Sequence, residues 1–195
     1  MLTLKQGFKR TKKQQYIILN SNENKTTTLQ NLNDLITALA EGERTTYNHI
    51  IHSLQLKATA FEKYAFWSNE CYTRNCIVDT EKFELILICW CEGHRTAIHD
   101  HGGEECWVKV IEGELSETIY KKDKSGGLSL VKSTISKANG VSYMKDFMGF
   151  HRLENIANKR SMTLHLYAKP IRNCNIFNEV SKTFENKELE YDTTA

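Results

Sequence analysis

Proline is nearly absent from this chain, which has one, Pro170, among 195 residues. The chain therefore has no proline-rich linker or low-complexity spacer, and we expect one domain over residues 1–195. An excess of charge is also missing, because 26 basic and 24 acidic residues leave a net charge of +2. This balance gives no reason to expect nucleic acid or an anionic membrane as a partner.

Long apolar runs are missing as well. No stretch approaches the roughly 18 consecutive apolar residues of a membrane-spanning helix. The basic segment at residues 1–15 lacks the apolar core of a signal peptide. Six cysteines in a long chain with ample apolar residues are interpreted as reduced thiols. We therefore predict a cytoplasmic protein and expect it to be a monomer.

Helical patterns occupy the first third of the chain, at about residues 26–66. Thr28 can cap a helix whose leucines recur at helical spacing and which Gly42 ends. Thr46 is predicted to cap a second helix, and a third short helix is predicted over Ala58–Tyr64.

From Tyr72 onward, short apolar or alternating runs replace the helical pattern, and turn signals separate most of them. Many short strands at close intervals are typical of a β-sandwich or barrel. We predict a mostly β domain, a barrel or jelly roll at about residues 72–180, with the helical part packed against it. The predicted strands are Phe83–Trp90, Ala97–His101, Trp107–Glu112, Leu115–Tyr120, Leu128–Val131, Val141–Met144, His151–Asn155, Met162–Ala168 and Ile171–Phe177.

Two histidines separated by one residue, His99 and His101, are the first candidates for chemistry. Alternate residues of a β-strand face the same side, so both imidazoles are predicted to point the same way. Two neutral imidazoles at that spacing are a good start on a first-row metal site. A third ligand must come from another strand. His151, just after Gly149, is the best candidate, and His165 could be a ligand or could support one.

Four motifs carry a family resemblance. They are Gly93-x5-His99-x-His101-x4-Cys106-x6-Gly113, Gly149-x-His151-x3-Asn155, Cys71-Tyr72-Thr73-Arg74-Asn75 and Leu164-His165-Leu166-Tyr167. In this order they resemble the cysteine dioxygenases, and the first resembles a cupin motif whose glutamate is replaced by Cys106. The resemblance runs from about Tyr72 to Phe177 and implies a cupin-type β-barrel or jelly roll.

The resemblance implies that His99, His101 and His151 hold one iron(II), Fe(2+), without a protein carboxylate. Three neutral imidazoles leave the charge of the metal uncompensated, which favours an anionic thiolate as a further ligand. The alternative is that the histidines bind zinc or support no catalysis, as in a non-enzymatic metal-binding cupin.

Glu105 offers a second alternative, because its spacing from His101 fits the cupin glutamate in its shorter form. We favour Cys106 at that position, since the six residues to Gly113 then fit the motif. A coordinated Glu105 would make this an ordinary cupin with three histidines and one glutamate.

The resemblance also implies the substrate-binding residues. Arg74 matches the family's carboxylate-binding arginine, whose guanidinium can hold a carboxylate bidentately, and Tyr72 matches a tyrosine that supports it. Thr163, His165 and Tyr167 resemble the family's Ser-His-Tyr triad with threonine in place of serine. In that triad His165 orients Tyr167, whose phenol can contact the substrate or oxygen.

Cys106 and Tyr167 match a pair that is joined by a thioether in many animal relatives, so this chain is predicted to be able to form that bond. Cys174 matches another cysteine of the active-site region and is interpreted equally as a pocket wall or as core. The family has a cis proline shortly after the triad tyrosine, where this chain has Lys169, so the backbone there is left open.

The implied reaction joins L-cysteine and O2 to give L-cysteine sulfinic acid, an early step of cysteine catabolism toward taurine and sulfite. Arg74 favours cysteine, because the group that acts on 3-mercaptopropionate has glutamine at that position. Dioxygenation of 3-mercaptopropionate or another thiol remains the nearest alternative.

Overall fold

The computed structural model describes residues 29–124 and 126–194. Helix α1 spans Leu32–Glu41 and is followed by Gly42, as predicted. The predicted cap Thr28 lies outside the described residues. The observed cap is Asn31, whose side-chain oxygen accepts a hydrogen bond from the backbone N–H of Asp34 at 3.0 Å. The helix therefore begins later than the pattern of leucines indicated.

A short 3-10 turn at Arg44–Thr46 leads into α2, which spans Tyr47–Ser53. Thr46 holds the predicted N-cap position, but its hydroxyl donates to the carbonyl of Glu43 instead of capping α2. The predicted third helix, Ala58–Tyr64, is present over the same residues as a 3-10 helix.

Twelve β-strands follow the helices in the described part of the chain. They are β1 Thr73–Asp79, β2 Glu84–Trp90, β3 Ile98–His99, β4 Cys106–Glu112, β5 Glu114–Lys122, β6 Leu128–Lys137, β7 Val141–Met144, β8 Phe150–Asn155, β9 Ser161–Tyr167, β10 Asn173–Asn178, β11 Thr183–Glu188 and β12 Thr193–Thr194. The sequence predicted the nine strands from β2 to β10, although β6 continues six residues beyond its predicted end. It did not predict β1, β11 and β12, because polar residues interrupt their apolar patterns.

The strands form two six-stranded sheets, with the orders β12-β1-β2-β9-β4-β7 and β11-β10-β3-β8-β5-β6. The predicted fold class, a mostly β jelly roll with a helical N-terminal region, is confirmed. Among the described residues, the hydrogen-bonded ladders remain two separate sheets and do not close into one barrel.

The first sheet buries both of its faces, which is why β2 and β9 are buried at every position. One face packs against the helices through side chains such as Leu87 and Leu164. The other carries Ile86 and Val108 into the space between the sheets. Lys109 is an exception in this pattern, because it points toward the helices from β4 and yet is 1% exposed.

The strand register of the first sheet determines which of its residues face the second sheet. Arg74 on β1 pairs with Ile88 on β2, and Ile88 pairs with Thr163 on β9. At the other end of these strands, Tyr167 pairs with Cys106 on β4. Because paired residues share a face, the predicted site residues of this sheet point into the same interior.

All six cysteines lie in the described part of the chain and are free thiols. Within residues 29–124 and 126–194, no helix has both the length and the apolar character needed to cross a bilayer.

Candidate metal centre

The three predicted ligand histidines converge in the structure. One ring nitrogen from each of His99, His101 and His151 lies within 4.8 Å of the others. His99 Nε2 and His151 Nε2 lie 3.2 Å apart. His99 ends the short strand β3, and His151 is its direct partner on β8. The predicted alternation therefore holds, although His101 lies just beyond the strand and β3 contains two residues only.

Two of these imidazoles are oriented by groups on their far side. Glu117 Oε1 lies 2.7 Å from His151 Nδ1, and the carbonyl of Ala97 lies 3.0 Å from His99 Nδ1. A hydrogen bond of this kind holds the proton on Nδ1 and leaves Nε2 as the metal-binding atom. Both Nε2 atoms point toward the centre of the cluster, so the two rings are arranged as metal ligands.

The electrostatics of the cluster favour neutral imidazoles. Burial, with a smaller contribution from the neighbouring His151, lowers the pKa of His99 to about 3. Burial and the other histidines also hold the pKa of His101 well below its usual range. Neutral imidazole is the form that binds a metal ion, and the donor set of three nitrogens suits zinc, copper, iron or nickel.

Asp100 fixes the short connection between the first two ligands. Its carboxylate accepts hydrogen bonds from the backbone N–H of Asn175 at 2.8 Å and from the Asn175 amide at 2.7 Å. It also accepts from the backbone N–H of Gly102 at 3.2 Å. Asp100 is 8% exposed, so these bonds form where water competes little. The loop that carries His101 is thus tied to β10.

Glu105 does not join the metal cluster. Its carboxylate lies 2.9 Å from Arg44 Nε and 2.7 Å from Lys145 Nζ, on the helical side of the first sheet. Burial opposes ionisation of this carboxyl, but the hydrogen bonds from Arg44 and Lys145 outweigh it and lower its pKa to about 2. The alternative of a glutamate ligand therefore has no support in the geometry, and Cys106 faces the interior instead.

Arg74 lies beside the histidines in a cavity of about 230 Å³. Its Nε and Nη2 atoms are buried and have no hydrogen-bond partner among the described residues. Tyr72 lines the same cavity and packs on Trp90 with ring centroids 5.0 Å apart. Two buried guanidinium nitrogens without a partner are costly, which makes the cavity suited to an anionic group that pairs with Arg74.

Thr163 and His165 form the hydrogen bond that the triad predicts. Thr163 Oγ1 lies 2.9 Å from His165 Nε2, and the indole N–H of Trp90 donates to the same hydroxyl at 2.9 Å. The indole N–H occupies one lone pair of the hydroxyl, which still has its own proton to donate to His165 Nε2 and a second lone pair to accept from it. The His165 and Tyr167 rings are stacked, with centroids 6.3 Å apart.

Tyr167 and Cys106 are direct partners across β9 and β4. Burial raises the pKa of the Cys106 thiol and of the Tyr167 phenol, so both groups are protonated at neutral pH. The Tyr167 ring also lies 5.9 Å from the ring of His101, between centroids. Cys174 lines the cavity on β10, which favours the interpretation as a pocket wall.

The chain leaves β9 without a cis peptide bond, and none occurs elsewhere in the described residues. Lys169, at the position where the resemblance led us to consider one, instead has φ +99°. A lysine in this region of the backbone map is uncommon and strained. The backbone after Tyr167, whose conformation the sequence left open, therefore has no cis peptide bond and has a positive φ at Lys169.

Sequence reasoning missed Glu117 and Trp90. Glu117 follows Leu115 on the alternation of β5 and shares its burial, so a charged residue on an apolar strand face was the available signal. Trp90 gave no comparable signal, because a tryptophan at the end of an apolar strand reads as core.

Comparison with known proteins gives one family. The model of the family described as Cysteine dioxygenase type I matches residues 18–180. The human protein named Cysteine dioxygenase type 1 is 34% identical over 149 residues, covering 71% of this chain and 74% of that protein. The bovine protein of that name is 37% identical over 135 residues, or 64% of this chain and 68% of that protein.

Similarity to solved structures is weaker. One is an uncharacterised conserved protein with a double-stranded β-helix domain from Klebsiella pneumoniae subsp. pneumoniae MGH 78578. It is 18% identical with a TM-score of 0.46, covering 69% of this chain and all of that chain.

Proposed function

Because this chain belongs to the cysteine dioxygenase type I family, we propose that its cavity binds L-cysteine and that its three histidines hold iron(II). The chain is an enzyme, a cysteine dioxygenase, and its small-molecule substrates are the thiol and O2. The observation that carries the proposal is that Arg74 lines the same cavity as His99 while its Nε and Nη2 atoms are buried without a hydrogen-bond partner among the described residues.

The donor set supports iron without a protein carboxylate. His99, His101 and His151 are neutral nitrogen ligands in a buried cluster, and Glu105 is held on the other side of the sheet. A divalent ion among three neutral ligands keeps its charge uncompensated, which favours a thiolate from the substrate. Iron(II) held there would supply dioxygen activation beside the sulfur, so that both oxygen atoms are added to it and cysteine sulfinic acid results.

Arg74 is proposed to bind the substrate carboxylate. Two of its nitrogens face the cavity without partners, and a carboxylate can accept from both in a bidentate pair. Tyr72 forms the wall beside it, with its hydroxyphenyl ring fixed on Trp90. Such a pair sets both the charge and the orientation of the substrate, and it places the sulfur and the amine toward the histidines.

Thr163, His165 and Tyr167 are proposed to hold and deliver protons at the far wall of the cavity. His165 Nε2 lies 2.9 Å from Thr163 Oγ1, and His165 Nδ1 is buried and has no partner among the described residues. Tyr167 keeps its phenolic proton because burial raises its pKa. The phenol is therefore a hydrogen-bond donor toward a bound anion, and His165 donates from Nδ1 when the Thr163 hydroxyl donates to Nε2.

Cys106 and Tyr167 are proposed as the partners of a thioether cross-link. Their positions as direct cross-strand neighbours, both buried in the interior, support this. Forming the bond removes one hydrogen from the thiol and one from the ring and requires an oxidant, which is O2 in this enzyme.

We also propose a cytoplasmic location, which the six free thiols support. A monomer is the oligomeric state we expect, and size-exclusion chromatography with light scattering tests it.

The test of the proposed function is an oxygen-consumption assay on the iron-loaded protein, with L-cysteine and 3-mercaptopropionate compared and the products identified by mass spectrometry. We expect preference for L-cysteine and a product heavier by two oxygen atoms. Arg74→Ala is expected to raise the KM for L-cysteine at least tenfold while iron remains bound. Arg95→Ala, which removes an exposed arginine outside the cavity, is the matched control. Preference for 3-mercaptopropionate, or unchanged kinetics in Arg74→Ala, would contradict the assignment.

A further inference from the structure

The end of the described chain is attached to the strand that carries Arg74. We call residues 189–194 the C-terminal strap. β1 pairs along its length with β2 on one side, and on the other side its only strand partner within residues 29–124 and 126–194 is β12, at Asn75 and Cys76. The strap lies beyond residue 180, where the family match ends. The strap itself therefore lies outside the matched region, whereas β1 lies within it.

Asp192 makes the contact with Arg74 itself, and it does so twice. The backbone N–H of Asp192 donates to the carbonyl of Arg74 at 2.8 Å. The backbone N–H of Arg74 donates to Asp192 Oδ2 at 2.7 Å. On this edge of β1, the Asp192 carboxylate therefore accepts the hydrogen bond that the backbone N–H of Arg74 would otherwise donate to a neighbouring strand. A hydrogen bond from a backbone N–H to a carboxylate is stronger than one between neutral groups.

The strap is fixed on both sides of Asp192. Thr193 Oγ1 donates to the side chain of Asn75 at 2.9 Å. Tyr191 donates its hydroxyl proton to Glu84, and Arg172 Nη1 donates to the Tyr191 oxygen at 3.1 Å. Glu84 is fully buried, so this attachment reaches the interior of the first sheet. Asp192 is therefore held in place independently of its bonds to Arg74.

The Arg74 guanidinium has no comparable support. Its Nε and Nη2 atoms have no partner among the described residues, so its position depends on the backbone from which it extends. The cavity that it faces is also lined by Leu189, the first residue of the strap. An anchor binds its ligand more tightly when it is held in the bound geometry beforehand.

We propose that Asp192 is a positioning residue for substrate recognition: it fixes the backbone of Arg74 and so holds the guanidinium where the substrate carboxylate binds. This inference rests on the proposed function of Arg74 as the carboxylate anchor. Asp192 does not touch the substrate. Its effect is confined to the part of binding that depends on the carboxylate.

The experiment compares two thiols on the iron-loaded full chain under anaerobic conditions, by isothermal titration calorimetry. L-Cysteine has thiol, amine and carboxylate, whereas cysteamine has the thiol and amine only. For Asp192→Ala we expect the Kd of L-cysteine to rise about tenfold and the Kd of cysteamine to stay within twofold. Asp192→Asn keeps an oxygen acceptor and is expected to restore most of the affinity for L-cysteine. Glu190→Ala removes a neighbouring exposed carboxylate and is the matched control.

Hydrogen–deuterium exchange supplies a second measurement that does not depend on substrate. We expect faster exchange of the Arg74 amide in Asp192→Ala and normal exchange in Glu190→Ala. Unchanged affinity for L-cysteine, or an equal loss of affinity for both thiols, would overturn the proposal. If the wild-type protein fails to bind L-cysteine at all, the proposed function fails instead, and the exchange measurement still reports whether Asp192 holds β1.

Discussion

Lys109 offers a test of the energetic reasoning, because the fold buries it without an evident benefit. The residue is 1% exposed, and its Nζ has no hydrogen-bond partner among the described residues. It points from β4 toward the helices and pairs across the strands with Val141 and Leu164. The nearby titratable group on α2 is His52, whose pKa it helps to lower, and that group cannot neutralise an ammonium.

Replacing Lys109 by methionine is expected to stabilise the fold. An unsatisfied buried donor costs about 1–3 kcal/mol, and more when it is charged. Methionine has nearly the same volume and length, so the packing against Leu164 is kept and the polar atom is removed. We expect the free energy of unfolding to rise by about 2 kcal/mol, which corresponds to about 4–8 °C in Tm for a chain of this size.

The stability gained by Lys109→Met depends on pH, and the burial of the Lys109 amine determines the direction of that dependence. Burial lowers the pKa of Lys109 below its usual value of 10.5. In the unfolded chain the amine binds a proton as soon as the pH falls through 10.5, whereas the folded chain resists protonation until a lower pH. The penalty on folding therefore begins below 10.5 and is complete below the folded pKa. Lys109→Met should stabilise strongly at pH 7 and much less near pH 10.5.

The assay is thermal unfolding of both proteins at pH 7 and pH 10, in the same metal-loaded state, followed by circular dichroism. Lys159→Met, at an exposed lysine, is the matched control and should change Tm by little at either pH. A Tm that falls in Lys109→Met, or a gain that grows as the pH rises, would refute the reasoning and indicate that the ammonium has a stabilising partner.

Three further predictions concern the metal centre. His151→Ala should lose bound iron in metal analysis, whereas His165→Ala should keep iron and lower kcat, and the reverse pattern would exchange their assigned roles. Glu117→Gln should weaken iron binding about 10–100-fold in a chelator competition, because Glu117 orients His151 through a 2.7 Å contact; an unchanged Kd would contradict this. After turnover with iron and L-cysteine, intact-mass spectrometry should detect a species lighter by two hydrogens, absent in Cys106→Gly; its persistence in that variant would rule out the Cys106–Tyr167 link.

Most of the fold could be predicted from local pattern. The strands β2 and β9 are apolar along their length because both faces of the first sheet are covered, and such strands are easily found. β11 is mostly exposed and polar, and β12 has two residues, so neither carries an apolar signal. They exist because β10 and β1 offer unpaired edges, and an edge is a property of the assembled sheet.

The sequence predicted which residues form the candidate site, but it did not predict the hydrogen bonds that hold them in place. The spacing of His99 and His101 and the motif at His151 located the cluster, because chemistry restricts which side chains hold a metal. Glu117 lies 34 residues away in the chain from His151, the residue that it contacts. Asp192 lies 118 residues away from Arg74. Contacts of that separation are determined by sheet order, which no local pattern encodes.

The opposed directions of Glu105 and Cys106 have a consequence for how such centres diverge. Neighbouring residues on a strand face opposite sides, and here the carboxylate turns outward to Arg44 and Lys145 while the thiol turns inward. A slip of one residue in this segment would exchange the two side chains and bring an anion to the metal. A site of three histidines and one carboxylate and an open site of three histidines are therefore separated by a single insertion or deletion. The ion pairs that hold Glu105 outside make that slip costly, and so they protect the chemistry of a cavity they never touch.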